Sequence, residues 1–290
     1  MTPSLSAHHP DESGARLFRR SRTVRGDGVD LAVHELGDRE RPTVVLVHGW
    51  PDTHRVWQQV ADRLAWTCHV VLYDTRARGA SRTHSPGADV SLPALACDLR
   101  DVLDATSPTA PAHVVGHDWG SVQAWEAVCE AWAPGRIASF TSLSGPNLDH
   151  VGAWVRGLAR RPSPTGLVGA LGQAVSSSYV AGLVSPVAPP LLRAAGAHDA
   201  ARGLAYYRAN LLHGLRPDAH PRERRTDVPV LQVELTRDPA IRRASLTASD
   251  PWCSDLRRTT LRVGHWAPRT HPDLVVREVL DQVAEVTRRR

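Results

Sequence analysis

Apolar residues along this chain follow two rhythms. Short unbroken apolar runs at residues 44–47, 69–73 and 113–115 are bounded by turn formers, as strands buried on both faces of a parallel sheet are. Between them, residues 56–66 and 92–103 carry apolar side chains three and four positions apart, which predicts helices with one buried stripe. Upstream, residues 23–34 alternate apolar and polar positions around Gly26-Asp27-Gly28, the pattern of a β-hairpin. Further strand runs stand at residues 137–143, 228–235 and 257–263, and an amphipathic helix is predicted over residues 272–286. Strand and helix in alternation imply an α/β fold with a mostly parallel central sheet flanked by helices.

The rhythm breaks at residues 146–221, where Gly, Ser, Pro and Ala dominate and only helical pieces are visible. This stretch is read as a helical cap inserted into a core made of residues 21–145 and 222–290, with residues 1–20 as a polar, disordered tail. No internal repeat is visible, and 290 residues suffice to bury such a core as one domain. Apolar residues make up 42% and charged residues 22%, which excludes the composition of a disordered chain.

All 35 basic residues are Arg, and the formal charge is +5. The basic groups at residues 222–225, 257–258 and 288–290 are not interleaved with aromatics, so nucleic acid is not an expected partner. Cys68, Cys97, Cys129 and Cys253 lack the paired spacing of a metal or redox site and read as small buried hydrophobes. No metal and no cofactor is expected. The first twenty residues contain no apolar segment of the signal-peptide kind, and no later run is long enough to span a bilayer, so a cytoplasmic setting is expected. Self-association into a homo-oligomer stays open.

The chemistry is concentrated around residues 113–125, where a strand runs through Gly116-His117-Asp118-Trp119-Gly120 into a helix. This is a nucleophile-elbow pattern with Asp at the position that is Ser in lipases. The turn lifts Asp118 to the carboxyl edge of the sheet, where the helix N-terminus favours negative charge, so Asp118 is expected to stay ionised without a base to activate it. Taken alone, Asp118 is equally a helix N-cap. Two further motifs weigh against that: Val47-His48-Gly49-Trp50-Pro51 follows an early buried strand, and Asp238 and His265 each follow a late one, in the chain order nucleophile, acid, histidine. The backbone N–H groups of Trp50 and Trp119 are the expected oxyanion donors, with His48 and Gly49 in the same loop. Asp149, after an earlier strand, is the alternative acid.

Together these segments resemble the α/β-hydrolase-fold epoxide hydrolases, over nearly the whole chain from Arg22 to Val286. His48 to Pro51 is similar to the family's H-G-x-P loop, which implies a cis Trp50–Pro51 bond, and Gly264-His265-Trp266 to its histidine loop. The segment from Tyr73 to Ser81 resembles the D-x-R-G-x-G-x-S turn, with Ala77 replacing its first Gly. Tyr206-Tyr207-Arg208-Ala209-Asn210 resembles the Y-R-x-N segment whose Tyr helps open the ring, which points to Tyr207, and Tyr179 lies where the family has its second tyrosine.

The resemblance implies hydrolysis of a small, largely apolar epoxide to a vicinal diol through an ester on Asp118, cleaved by water that His265 and Asp238 activate. A carboxylate displaces a leaving group only from strained or activated carbon, so haloalkane dehalogenation is the competing reaction. A halide, unlike an epoxide oxygen, needs no proton donor, and the tyrosines favour the epoxide. A non-catalytic receptor built on the same fold is the reading from another class.

Overall fold

The computed structural model describes residues 19–211 and 224–289; residues 1–18 of the expected tail and 212–221 of the expected cap lie outside the described residues, whereas Arg19 and Arg20, expected in the tail, already belong to the first strand. The chain enters at Arg19 as strand β1 (Arg19–Gly26), which pairs with β2 (Val29–Leu36) as an antiparallel hairpin. Gly28 closes the turn with φ of 68°, a conformation that costs a residue with Cβ. In β2 every second residue is buried at first, as the apolar–polar alternation requires of a strand near the sheet edge.

The unbroken apolar runs become β3 (Thr43–Val47), β4 (His69–Tyr73), β6 (Ala112–His117) and β7 (Ile137–Leu143), every residue of which is buried. A two-residue strand, β5 (Arg82–Thr83), pairs with β2. β8 (Val230–Leu235) and β9 (Leu256–Leu261) complete a sheet of order β1-β2-β4-β3-β6-β7-β8-β9, parallel from β4 through β9. These last two strands begin two residues and one residue away from the expected positions, because Pro229 cannot extend the ladder and Leu256 already pairs with Val230.

Helices α1 (Gln58–Leu64) and α12 (Pro272–Arg289) cover one face of the sheet, and α2 (Leu92–Thr106) and α3 (Trp119–Val128) the other. The predicted helix over 56–66 is shorter than expected, since a 3-10 turn, His54–Trp57, leads into it. Trp57 and Trp125 are fully buried on opposite faces of the sheet. Of the cysteines only Cys68 is buried; Cys97, within α2, and Cys129 and Cys253 are half-buried, so the expectation of four buried thiols does not hold.

After the four-residue helix α4 (Ala133–Arg136) and β7, the described residues before β8 form five helices: α5 (Leu148–Arg160), α6 (Pro164–Ser176), α7 (Tyr179–Val184), α8 (Ala188–Ala194) and α9 (His198–Asn210). A third apolar cluster, including Leu95, Trp119, Val122, Val180, Leu204 and Tyr207, lies between α7 and α9 and the carboxyl edge of the sheet. Short helices α10 (Arg243–Thr247) and α11 (Ala267–Thr270) follow β8 and β9. Among the described residues no helix is long and apolar enough to cross a membrane.

Candidate active site

From β3 the chain moves to one side, to β4, and then returns past β3 to β6 on the other. In an open α/β sheet the crevice at such a reversal, outside the carboxyl ends of the strands, is where ligands bind. The loop after β3 supplies His48, Gly49 and Trp50, and the turn after β6 supplies Asp118.

Asp118 sits at φ 55° and ψ −127°, strained for a residue with a side chain. The strain persists because the turn is clamped from several directions. A Cβ at Gly120 would lie 2.1 Å from the Val47 carbonyl oxygen, and one at Gly116 2.6 Å from Gly120 O, so the elbow closes only with glycine at both places. The Asp118 N–H donates to Leu143 O at 3.0 Å, fixing the turn to β7.

The Trp50 backbone N–H donates to Asp118 Oδ1 at 2.7 Å, and the Trp119 N–H also bonds this carboxylate. On the other side, His265 Nε2 lies 3.7 Å from Asp118 Oδ2, and His265 Nδ1 donates to Asp238 Oδ2 at 3.0 Å. The second Asp238 oxygen accepts the Ala240 N–H at 2.7 Å. Asp149 is elsewhere: it pairs with Arg224 at 2.9 Å in the first turn of α5, so Asp238 and not Asp149 meets the histidine.

Burial is the largest influence on Asp118 and pushes its carboxyl from 3.8 up to about 6, with the His265 charge and the Trp119 and Trp50 N–H groups opposing. Asp118 thus stays ionised at neutral pH, but by a smaller margin than the helix N-terminus alone would give, because desolvation outweighs it. For His265, burial alone would lower the pKa, but the hydrogen bond with Asp238 and the charges of Asp118 and Asp238 raise it. Asp238 is held below the usual carboxylate range: burial opposes this, and the His265 hydrogen bond and charge prevail.

Two chambers meet at Asp118, each of about 300 Å³. One is lined by Trp119, Val122, Leu148, Val151 and Ile241, the other by Trp50, Pro51, Pro239, His265 and Trp266. Asp118, Tyr179 and Tyr207 border both. Tyr207 is buried, its ring edge-on to Trp119 at 4.9 Å and to Trp50 at 5.5 Å. Tyr179 is 47% exposed and forms part of the cavity rim. Burial, then the Asp118 charge, pushes the Tyr179 phenol up to about 12 and raises Tyr207 further, so both are protonated donors at neutral pH.

His48 does not face the chambers. It is fully buried, accepts the Thr75 N–H at 3.0 Å on Nε2, and is held neutral by burial at about 4. Gly49 leaves room for Asp118, since a Cβ there would be 2.3 Å from Oδ1. The Trp50–Pro51 bond is cis.

Several contributors lie inside the quoted motifs, but their partners carry no signal in the sequence. Arg78, buried, donates to the carbonyls of Pro51, Asp52 and Asp199 and so ties the Trp50 loop to the start of α9. Trp50 Nε1 reaches the same helix at Ala200 O, 2.9 Å away. His117 Nε2 donates to the His265 carbonyl at 2.8 Å, and burial holds its ring neutral at about 3. Tyr206 is buried with its hydroxyl on Thr75 and Arg76, away from the chambers. The ligand atoms of His34, His54 and Asp74 lie within 4.8 Å of one another, the arrangement of a metal site, but Asp74 already accepts the His54 N–H at 2.9 Å, His54 Nδ1 at 2.7 Å and the Ala80 N–H at 2.7 Å. Hydrogen bonding alone accounts for that cluster.

The sequence model of a family described as alpha/beta hydrolase fold matches residues 42–272. The chain belongs to this family. As an α/β hydrolase it is 34% identical over 282 residues to a Mycobacterium tuberculosis protein called probable oxidoreductase EphD, a match spanning 88% of this chain and 48% of the relative. Epoxide hydrolase A of the same organism is 34% identical over 128 residues, 44% of this chain and 39% of that one. The chain thus spans about half the length, or less, of these curated relatives. A Bacillus megaterium epoxide hydrolase solved with an inhibitor superimposes with a TM-score of 0.70 at 17% identity, over 91% of this chain and 100% of that one. Epoxide hydrolase VrEH1 from Vigna radiata gives 0.69 at 19% identity, over 92% and 98%. At those identities the likeness is one of fold.

Proposed function

We propose that this α/β hydrolase converts an epoxide to a vicinal diol, with residues 146–221 acting as the cap over the site. The observation that carries this reading is the pair of protonated phenols, Tyr179 and Tyr207, bordering the same chambers as the carboxylate of Asp118. An epoxide needs both at once, a nucleophile at carbon and a proton donor at oxygen. A halide leaving group has no use for the second. Two of the relatives, epoxide hydrolase A and the Bacillus megaterium enzyme, are named for the same chemistry.

Asp118 attacks a ring carbon and forms a carbon–oxygen ester bond as the ring C–O bond breaks, while a tyrosine gives its proton to the departing oxygen. His265, oriented by Asp238, then takes a proton from water, and the hydroxide adds to the ester carbonyl. The Trp50 and Trp119 N–H groups hold the resulting oxyanion. Collapse releases the diol and returns the carboxylate, and the proton on His265 goes back to the tyrosine. Water and a small apolar epoxide are the only reactants; no cofactor enters.

The route predicts where oxygen comes from. In a single turnover in ¹⁸O-water, with enzyme in excess over styrene oxide or a similar epoxide, the first diol should be unlabelled, because its new oxygen is one from Asp118. Solvent label in that first product would remove Asp118 as nucleophile. A haloalkane carried through the same assay should release little halide.

A further inference from the structure

Helix α6 is folded inside out. Its small and polar positions, Gly166, Gly169, Gln173 and Ser176, turn toward the body, where Gln173 bonds Ala240 O and the Arg242 N–H at 2.8 Å each and a Cβ on Gly169 would lie 2.9 Å from Ala244. Its large apolar positions turn outward: Leu167, Val168, Leu171 and Val175, spaced as one helical face, are 52% to 71% exposed. No charged residue occurs in the helix. An amphipathic helix on a water-facing surface has the opposite orientation, and a contiguous exposed apolar stripe marks a contact surface.

The charge around the stripe says what it contacts. From Val151 to His198 the chain has no Asp or Glu and four arginines, Arg156, Arg160, Arg161 and Arg193. Arg160 and Arg161 stand exposed just before α6, with no acidic partner among the described residues. A second copy would bring like charges together. An apolar face with exposed arginines beside it, on a segment without a carboxylate of its own, suits an anionic lipid surface, where the side chains sink to the acyl boundary and the guanidinium groups meet phosphates.

We infer that the exposed face of α6, with Arg160 and Arg161 at its rim, docks this hydrolase on anionic phospholipid bilayers. The stripe adjoins the cavity rim, since Ser176 at the end of α6 and Tyr179 at the start of α7 line the chamber that holds His265. Docking therefore sets the chamber mouth against the bilayer. Resting on the epoxide reading, this points to lipophilic epoxides taken from the membrane phase. Docking itself does not depend on the reaction, and binding is measured without turnover, so either conclusion can fail alone.

The test is sedimentation of the full chain with vesicles of phosphatidylglycerol and phosphatidylcholine against phosphatidylcholine alone, at low and high salt. Binding to the anionic vesicles should weaken with salt. Leu167→Gln with Leu171→Gln should weaken it by roughly tenfold for each residue, and Arg160→Gln with Arg161→Gln by about fivefold for each. These side chains are exposed, so unchanged circular dichroism and unchanged hydrolysis of a water-soluble epoxide are expected of every variant. Failure to sediment with either vesicle overturns the proposal, as does undiminished binding by the leucine variant. A lipid-free dimer that the leucine variant dissociates, without vesicle binding, also overturns it and assigns the stripe to self-association.

Discussion

In the proposed reaction Asp118 acts as a nucleophile, although it is buried where its charge is costly. Attack needs the carboxylate, so the rate of ester formation should fall as pH drops through about 6, its folded pKa. The same shift makes Asp118 a cost to the fold. A carboxyl whose pKa is raised on folding contributes stability below its unfolded value of 3.8 and loses that contribution as pH rises through about 6. Above pH 6 the Asp118→Asn variant should therefore be more stable than the parent, by roughly 1–3 kcal/mol at about 1.4 per unit, a shift that already includes the attraction to His265. The gain should vanish near pH 4. Urea unfolding of both proteins at pH 8 and pH 4 measures it, and equal stability at pH 8 would show that His265 and the N–H groups compensate the burial in full. The position of Asp118 was legible in the sequence because two glycines and a strand-to-helix switch define the turn. Its raised pKa was not, since the helix N-terminus is visible in a sequence and desolvation is not. Asp149 and Asp238 look alike along the chain, and only the fold brings one of them to His265.

The elements around the site are joined by buried ion pairs whose arrangement crosses the chain. Arg224, 4% exposed, pairs with Glu126 at 2.6 Å and Glu130 at 3.2 Å near the end of α3 and with Asp149 at 2.9 Å at the start of α5. It thus fastens the point where the helical segment departs to the point where the chain rejoins the sheet. Truncating one partner of such a set leaves buried charge unpaired, so Arg224→Met should cost roughly 3–5 kcal/mol. Denaturant titration at neutral pH measures this, and a loss of less than about 1 kcal/mol would mean that water reaches Glu126 and Asp149 without penalty. At this scale the strands were the most readable part, because β3, β4, β6 and β7 are buried on both faces and leave unbroken apolar runs. Helix α6 was the least readable: its apolar face points outward, so periodicity says that a helix exists and misdirects as to which side is inside. Asn210 shows how α9 is seated by polar contacts as well, accepting the Leu92 N–H and donating to Val90 O, both at 2.9 Å, to pin α9 to the start of α2.

Across the whole molecule, the carboxyl edge of the sheet supplies the charged groups and the helical segment supplies the phenols, so neither body holds a complete site. Asp118, Asp238 and His265 come from loops after β6, β8 and β9, and Tyr179 and Tyr207 from α7 and α9. That division was half legible: loops after strands can be placed from strand order, whereas adjacent Tyr206 and Tyr207 differ only by the step of about 100° between helical neighbours, which sends one to Thr75 and the other to the chambers. The division also isolates one step for testing. Tyr207→Phe keeps the ring against Trp50 and Trp119 and removes only the hydroxyl, so folding should be unaffected and ester formation should slow by roughly 100-fold, the usual worth of a general acid. Tyr179, bordering the same chambers, should cover part of the loss, and the pair of changes Tyr179→Phe with Tyr207→Phe should leave almost no epoxide turnover. Stopped-flow measurement of the alkylation step, read from the change in fluorescence of Trp50 and Trp119 beside Asp118, separates this from effects on ester hydrolysis. Alkylation at the parent rate in the double variant would remove the tyrosines from the reaction. It would leave a carboxylate that opens its substrate without a proton donor, which is the behaviour of a dehalogenase and would then have to appear as halide release.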